Sequence, residues 1–138
     1  MADIINDFLR LSRSERTDVA KGACADIVKY CESQGLNDEE IIKLLCAITK
    51  LFVSVDRSCQ QAEYDLFIDV TGFTLSGQEF FELTNYGGNR DFVDAILNII
   101  SGMSDDAKKA VAIFGLCICS ADGDVTPEEK QMIARALS

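Results

Sequence analysis

Two pairs of carboxylates, Asp56 with Glu63 and Asp122 with Glu129, are the residues of this chain best placed to do chemistry. Sliding the chain along itself by 66 residues lays Asp56 on Asp122 and Glu63 on Glu129, so the same seven-residue spacing recurs. The surrounding polarity matches too: Phe52 meets Ile118, Ser54 meets Ser120, and Leu66 meets Met132. Each copy reads as a buried helix, a turn beginning with Asp, and a second helix whose first turn holds Glu. If the two hairpins pack about a pseudo-twofold axis, four carboxylates converge at their junction, with Asp124 and Glu128 as outer acids. Hard oxygen donors of this kind suit Ca²⁺, Mg²⁺ or Mn²⁺ better than a soft metal.

The same residues have a purely structural reading. Gly123 ends one helix, and Thr126, Pro127 and Glu129 start the next as N-cap, N1 and N3 of a capping box. In the earlier copy Gln60 and Gln61 replace Thr126 and Pro127, yet Asp56 and Glu63 remain, which favours a role beyond capping. An EF-hand also comes to mind, because Asp122 to Glu129 superposes on the second half of that loop. The first half fails: Ile118 stands where the leading carboxylate belongs, and Arg57 replaces the turn glycine in the earlier copy.

The elements that must position these acids are all helical. Helix signals recur along the chain, and no sustained alternation of β-branched residues marks a strand. Amphipathic pieces are expected at about 2–12 and 14–34, with Gly35 closing the second and Asn37 capping the next. From Asp38 the sequence DEEIIKLLCAITKLFVSV is acidic in its first turn and apolar on most sides, with Lys43, Lys50 and Ser54 as a narrow polar stripe. Further helices are expected from about Gln60 to Val70, from a Ser76–Glu79 capping box through Leu83, and over Asp91 to Ile100. Gly72 and Gly102 act as stops, and NYGGN at 85–89 is a loop. Ser104 caps a second buried helix, DDAKKAVAIFGLCICSA, whose Ala112, Gly115 and Cys119 would let another helix approach closely. A last helix follows Thr126. The expectation is an all-α bundle of about seven helices in two pseudo-symmetric hairpin halves, one domain over 1–138, with repeat copies at about 38–70 and 104–137.

Composition bounds the function. The 138 residues carry 13 basic and 23 acidic side chains, for a net charge of −10, with no His, no Trp and one Pro. The acid excess repels phosphate backbones and anionic lipid, so nucleic acid is an unsuitable partner and basic proteins or cations are better ones. The absence of His removes His-based triads and mixed His/Cys zinc sites, and the chain is read as a non-enzyme with no catalytic residue. The longest apolar run, residues 110 to 119, is about half of the ~20 residues a membrane crossing needs. Asp3, Asp7, Arg10 and Arg13 interrupt any secretory leader, so a cytoplasmic location is expected.

Six cysteines without a C-x-x-C pairing read as reduced core residues, and Cys117 and Cys119, one residue apart, point about 200° apart around a helix. The aromatics Phe67, Phe73, Phe80, Phe81 and Tyr86 suit a core, or an exposed apolar patch that docks a partner. Arg10 to Arg16 is the one basic cluster, read as a solvated helix junction, with docking of an acidic partner as the alternative.

The segment DGDVTPEE at 122–129, following an apolar helix, resembles the D-G-x-[V/I]-x-x-x-E signature of the TerB-like family, named for tellurite resistance. The matching positions are Asp122, Gly123, Val125 and Glu129, with a degenerate copy at Asp56 and Glu63, and the likeness extends loosely over about residues 36–138. The resemblance implies an all-α fold with two similar halves, association with tellurite and stress responses, divalent-cation binding, and protein assembly without catalysis. On that basis the chain is expected to act through protein partners, with a homo-oligomer among the options and a divalent cation at the acidic turn. The alternative is a scaffold with no metal site, and a carboxylate-based metal enzyme is the remote third.

Overall fold

The chain's stop and start signals act largely where its sequence places them. The computed structural model describes residues 2–53, 61–84, 90–122 and 125–137. Among these it forms α1 (Ala2–Leu9), α2 (Arg13–Ser33), α3 (Asp38–Val53), α4 (Gln61–Thr71), α5 (Gly77–Leu83), α6 (Arg90–Ser101), α7 (Asp105–Cys119), a 3-10 turn (Ser120–Asp122) and α8 (Pro127–Leu137). There is no strand among the described residues.

Local chemistry explains most of the boundaries. Ser12 and Glu15 cap each other's amides at the start of α2, and Asn37 and Glu40 do the same at α3. Ser104 Oγ accepts from the Ala107 amide at α7. Gly35 and Gly72 close α2 and α4 with φ of +83° and +70°, a left-handed turn that costs a residue without Cβ nothing. The Ser76–Glu79 box forms only in part: Glu79 N–H donates to Ser76 Oγ, but the Ser76 hydroxyl itself, rather than its amide, donates to the Glu79 carboxylate.

The core is built around α7, which packs against α1, α2, α3, α4, α6 and α8. Its run from Ala110 to Cys119 is buried on nearly every side, as the near absence of polar residues requires. α3 meets it at Gly115, where the Phe52 ring lies in the space a Cβ would take: an added Cβ would fall 2.7 Å from Phe52 Cε2 and 2.8 Å from Cγ. One turn on, the Cys119 thiol donates to the Phe52 carbonyl at 3.1 Å. Close approach of α3 and α7 is thus fixed at their C-terminal ends, just before the two segments that carry Asp56 and Asp122.

Two expectations need correction. α7 does not run on as an α-helix to Ala121; it tightens into the 3-10 turn at Ser120, whose hydroxyl donates back to the Cys117 carbonyl at 2.8 Å. The narrow polar stripe expected on α3 does not keep Lys50 at the surface. Lys50 is 2% exposed, because every residue of α3 from Leu45 to Phe52 is enclosed by neighbouring helices, whereas Lys43, two turns earlier, stays at the surface in an ion pair with Glu39 at 3.2 Å.

Candidate functional site

Glu63 and Glu129 each occupy the third position of their helix, α4 and α8, and both are buried, at 0% and 5% exposure. Burying a carboxylate is costly unless it is paired or hydrogen-bonded. For Glu129 one partner is clear: Oε1 accepts the Thr126 amide at 2.7 Å, while the Glu129 amide donates to Thr126 Oγ1 at 3.2 Å, closing the expected capping box. Glu63 and the buried Lys50 are likewise engaged within the fold.

Packing brings the two hairpins together in a crossed manner. α4, with Glu63, lies against the 3-10 turn that ends at Asp122, and α8, with Glu129, lies against α3, the helix that leads towards Asp56. Glu128 faces solvent. Asp56 and Asp124 lie outside the described residues, as do Gly123, Arg57, Cys59 and Tyr86; of Asp122 only the backbone is described. Among the described residues, no group of three acidic or cysteine side chains is close enough together to hold a metal ion. A cation here would therefore need the loop acids Asp56, Asp122 and Asp124 in addition to the two buried glutamates.

Set against protein families, curated proteins and solved structures, the chain matches none of them.

Other candidates resolve into structure. Cys24, Cys31, Cys46, Cys117 and Cys119 are buried free thiols. Burial pushes the Cys117 thiol up to about 12, with the Arg16 and Arg13 charges pulling the other way and Asp69 adding to the rise. Burial alone lifts Cys24 to about 11, and it also raises Cys31. Thiols held this far above neutrality are weak nucleophiles and weak metal ligands.

The aromatic patch also turns inward. Phe67 and Phe80 are fully buried with ring centroids 5.1 Å apart, Phe114 joins Phe67 at 6.1 Å, and Tyr64 stands 5.4 Å from Phe80. Phe73 and Phe81 are half-buried and pack onto this cluster. The core reading therefore holds for Phe80, and no partner reaches it in the folded chain. An open groove of about 620 Å³ lies between α2 and α7, walled by Gly22, Ala23, Ala107 and Ala110, with the exposed Val19 at its edge.

The main features that sequence reasoning missed are Lys50 and a small pocket beside Arg13 and Arg16. The signal for Lys50 was present in its flanks: the six residues before it include only Thr49 as a polar side chain. Thr49 satisfies itself by donating to the Leu45 carbonyl, so the helix is free to be enclosed there.

Proposed function

We propose that this chain is a non-catalytic, TerB-like interaction module whose α3–α4 and α7–α8 hairpins are related by a pseudo-twofold axis and share a divalent cation. Asp56 and Glu63 from one hairpin and Asp122 and Glu129 from the other supply the oxygen donors, with Asp124 and Glu128 as outer acids. The observation that supports this reading is the crossed packing, which sets the Glu63 helix on the Asp122 turn and the Glu129 helix on α3. Ca²⁺, Mg²⁺ or Mn²⁺ would neutralise carboxylates that otherwise repel one another and would tie the hairpins together. A protein partner, or a second copy of the chain, would then read the ion-locked shape of the acidic face. A cytoplasmic stress or tellurite-resistance role accompanies the family resemblance and belongs to the same proposal.

A thermal melt of chelator-treated protein with added Mg²⁺, Ca²⁺ or Mn²⁺ tests it, with Asp56→Asn/Asp122→Asn as control. Binding at 100 times the dissociation constant adds ~2.7 kcal/mol, a rise of several degrees for a domain of this size. A metal-specific rise that the double variant abolishes supports the site. No rise at millimolar ion returns the acids to a structural role.

That outcome is the second reading, and Lys50 favours it. Lys50, Glu63 and Glu129 are the buried charged side chains among the described residues, so the interior holds a positive charge as well as two carboxylates. The chain would then be a plain helical scaffold that docks partners through a surface such as the α2–α7 groove.

A further inference from the structure

The only basic cluster of the chain builds a pocket. Arg13 and Arg16, one turn apart at the start of α2, line a cavity of about 140 Å³ together with Thr17, Leu66 of α4, Cys117 at the end of α7 and Ser120 of the 3-10 turn. That volume is enough for one small oxyanion or several waters.

The polar groups around the cavity leave the guanidinia to act. Thr17 Oγ1 donates to the Arg13 carbonyl at 3.0 Å and Ser120 Oγ to the Cys117 carbonyl at 2.8 Å, so both hydroxyl protons are spent locally. The Cys117 thiol stays protonated and adds no negative charge. Arg16 is held in place: Nη2 donates to the Leu9 carbonyl at 2.5 Å, and its guanidinium carbon lies 5.7 Å from the Phe8 ring centroid. Its Nε is buried and makes no hydrogen bond, the one buried side-chain donor or acceptor among the described residues left in that state. Leaving a buried donor without an acceptor is unfavourable, because its lost hydration is not replaced.

The charges around the pocket are also unusual for so acidic a chain. Among the described residues neither Arg13 nor Arg16 is ion-paired with a carboxylate. The nearby acids are occupied elsewhere: Asp69 on α4 faces Lys21 at 3.9 Å, and Glu15 accepts the Ser12 amide at 2.9 Å. In a molecule of net charge −10, two arginines that share a cavity, neither ion-paired among the described residues and one with an orphaned Nε, are placed to take an anion.

We propose that this pocket binds a phosphate-class oxyanion, held by the guanidinium forks of Arg13 and Arg16. Planar forks match the oxygens of such a group better than a lysine does, and the positive N-terminal end of the long α2 adds to the attraction. The ligand is free phosphate or the phosphoryl group of a small monoester; both present the same oxygens to the pocket.

Calorimetric titration of the full chain with inorganic phosphate tests this, against acetate at matched ionic strength and against glycerol 3-phosphate. Phosphate should bind with one-to-one stoichiometry, Arg13→Gln should weaken it at least tenfold, and Arg13→Gln/Arg16→Gln should remove it. Arg16→Lys keeps the charge but loses the fork, and should weaken binding by a similar factor. Because Arg16 also anchors Leu9 and Phe8, the exposed Arg13 provides the variant whose melting temperature without ligand should not move. Equal binding of glycerol 3-phosphate identifies a phosphoryl group on a carrier, and its failure identifies free phosphate. Acetate heats matching those of phosphate, or wild-type phosphate affinity in the double variant, overturn the proposal.

Discussion

The α7–α8 hairpin and the α3–α4 hairpin carry a buried glutamate at the same helical position but for different local reasons. At α8 the Glu129 carboxylate has a task within four residues, accepting the Thr126 amide, and Pro127 at the first helical position preorganises the turn. At α4 the position three before the glutamate is Gln60, whose side chain lacks the short hydroxyl that makes the α8 box, and yet Glu63 is the more deeply buried of the two. A cap explains Glu129 by itself. Glu63 is also engaged within the fold, but no Thr–Pro pair precedes it to preorganise its turn, so its local sequence accounts for less of its burial.

The largest test of this difference is truncation. Glu63→Ala removes a fully buried, engaged carboxylate and should cost about 2–3 kcal/mol, whereas Glu129→Ala, losing chiefly a cap, should cost about 1–2 kcal/mol. Urea denaturation of the two variants checks the ranking, and equal losses would mean that the hairpins do not differ. Next comes the clamp that holds both. Gly115→Ala forces a Cβ into the Phe52 ring and should cost about 1–3 kcal/mol, with Phe52→Leu partly restoring stability in the double variant.

A smaller effect separates the hairpins by pH. Cys117 belongs to the second hairpin, where the repeat places Leu51 in the first. Its thiol keeps its proton in the folded chain to about pH 12 but ionises near its ordinary value of 9.0 once unfolded. The stability this thiol contributes is thus fully present well below pH 9 and is lost as pH climbs towards 12, by about 1–1.5 kcal/mol at pH 10. Melts from pH 8 to 10 should show the decline, and Cys117→Ala should flatten it, with Cys24 and Cys31 supplying what remains. The smallest effect is Thr126→Ala, at about 1 kcal/mol by the same denaturation assay. A cost near zero would show that the α8 cap is not what holds Glu129.

Much of this architecture was legible because it is locally encoded. The reciprocal caps at Asn37–Glu40 and Thr126–Glu129 and the left-handed glycines at 35 and 72 depend on a few neighbouring residues, and the sequence displays those directly. The small-residue face of α7 also foretold a close helix crossing, though not that Phe52 would occupy it. What escaped is what only the assembled bundle decides. Lys43 and Lys50 are the same residue type on one helix, and their opposite fates follow from which turn of α3 is enclosed. The arginine pocket draws on α2, α4 and α7, so a reading of LSRSER alone shows charge at a helix junction and no cavity. For the acidic turn the sequence shows four carboxylates in register, and the structure adds the burial of two and the crossed packing of their hairpins.

The central place of α7 also has a temporal side. A chain made from its N-terminus completes α1 through α6 before residue 105, the first of α7, exists, and α1, α2, α3, α4 and α6 all pack on that helix. Until it is made, the apolar faces of these five helices lack their common partner, and Phe52 has no Gly115 to lie on. The nascent chain is then a set of sticky, half-covered helices, and protection from aggregation falls to whatever attends it during synthesis.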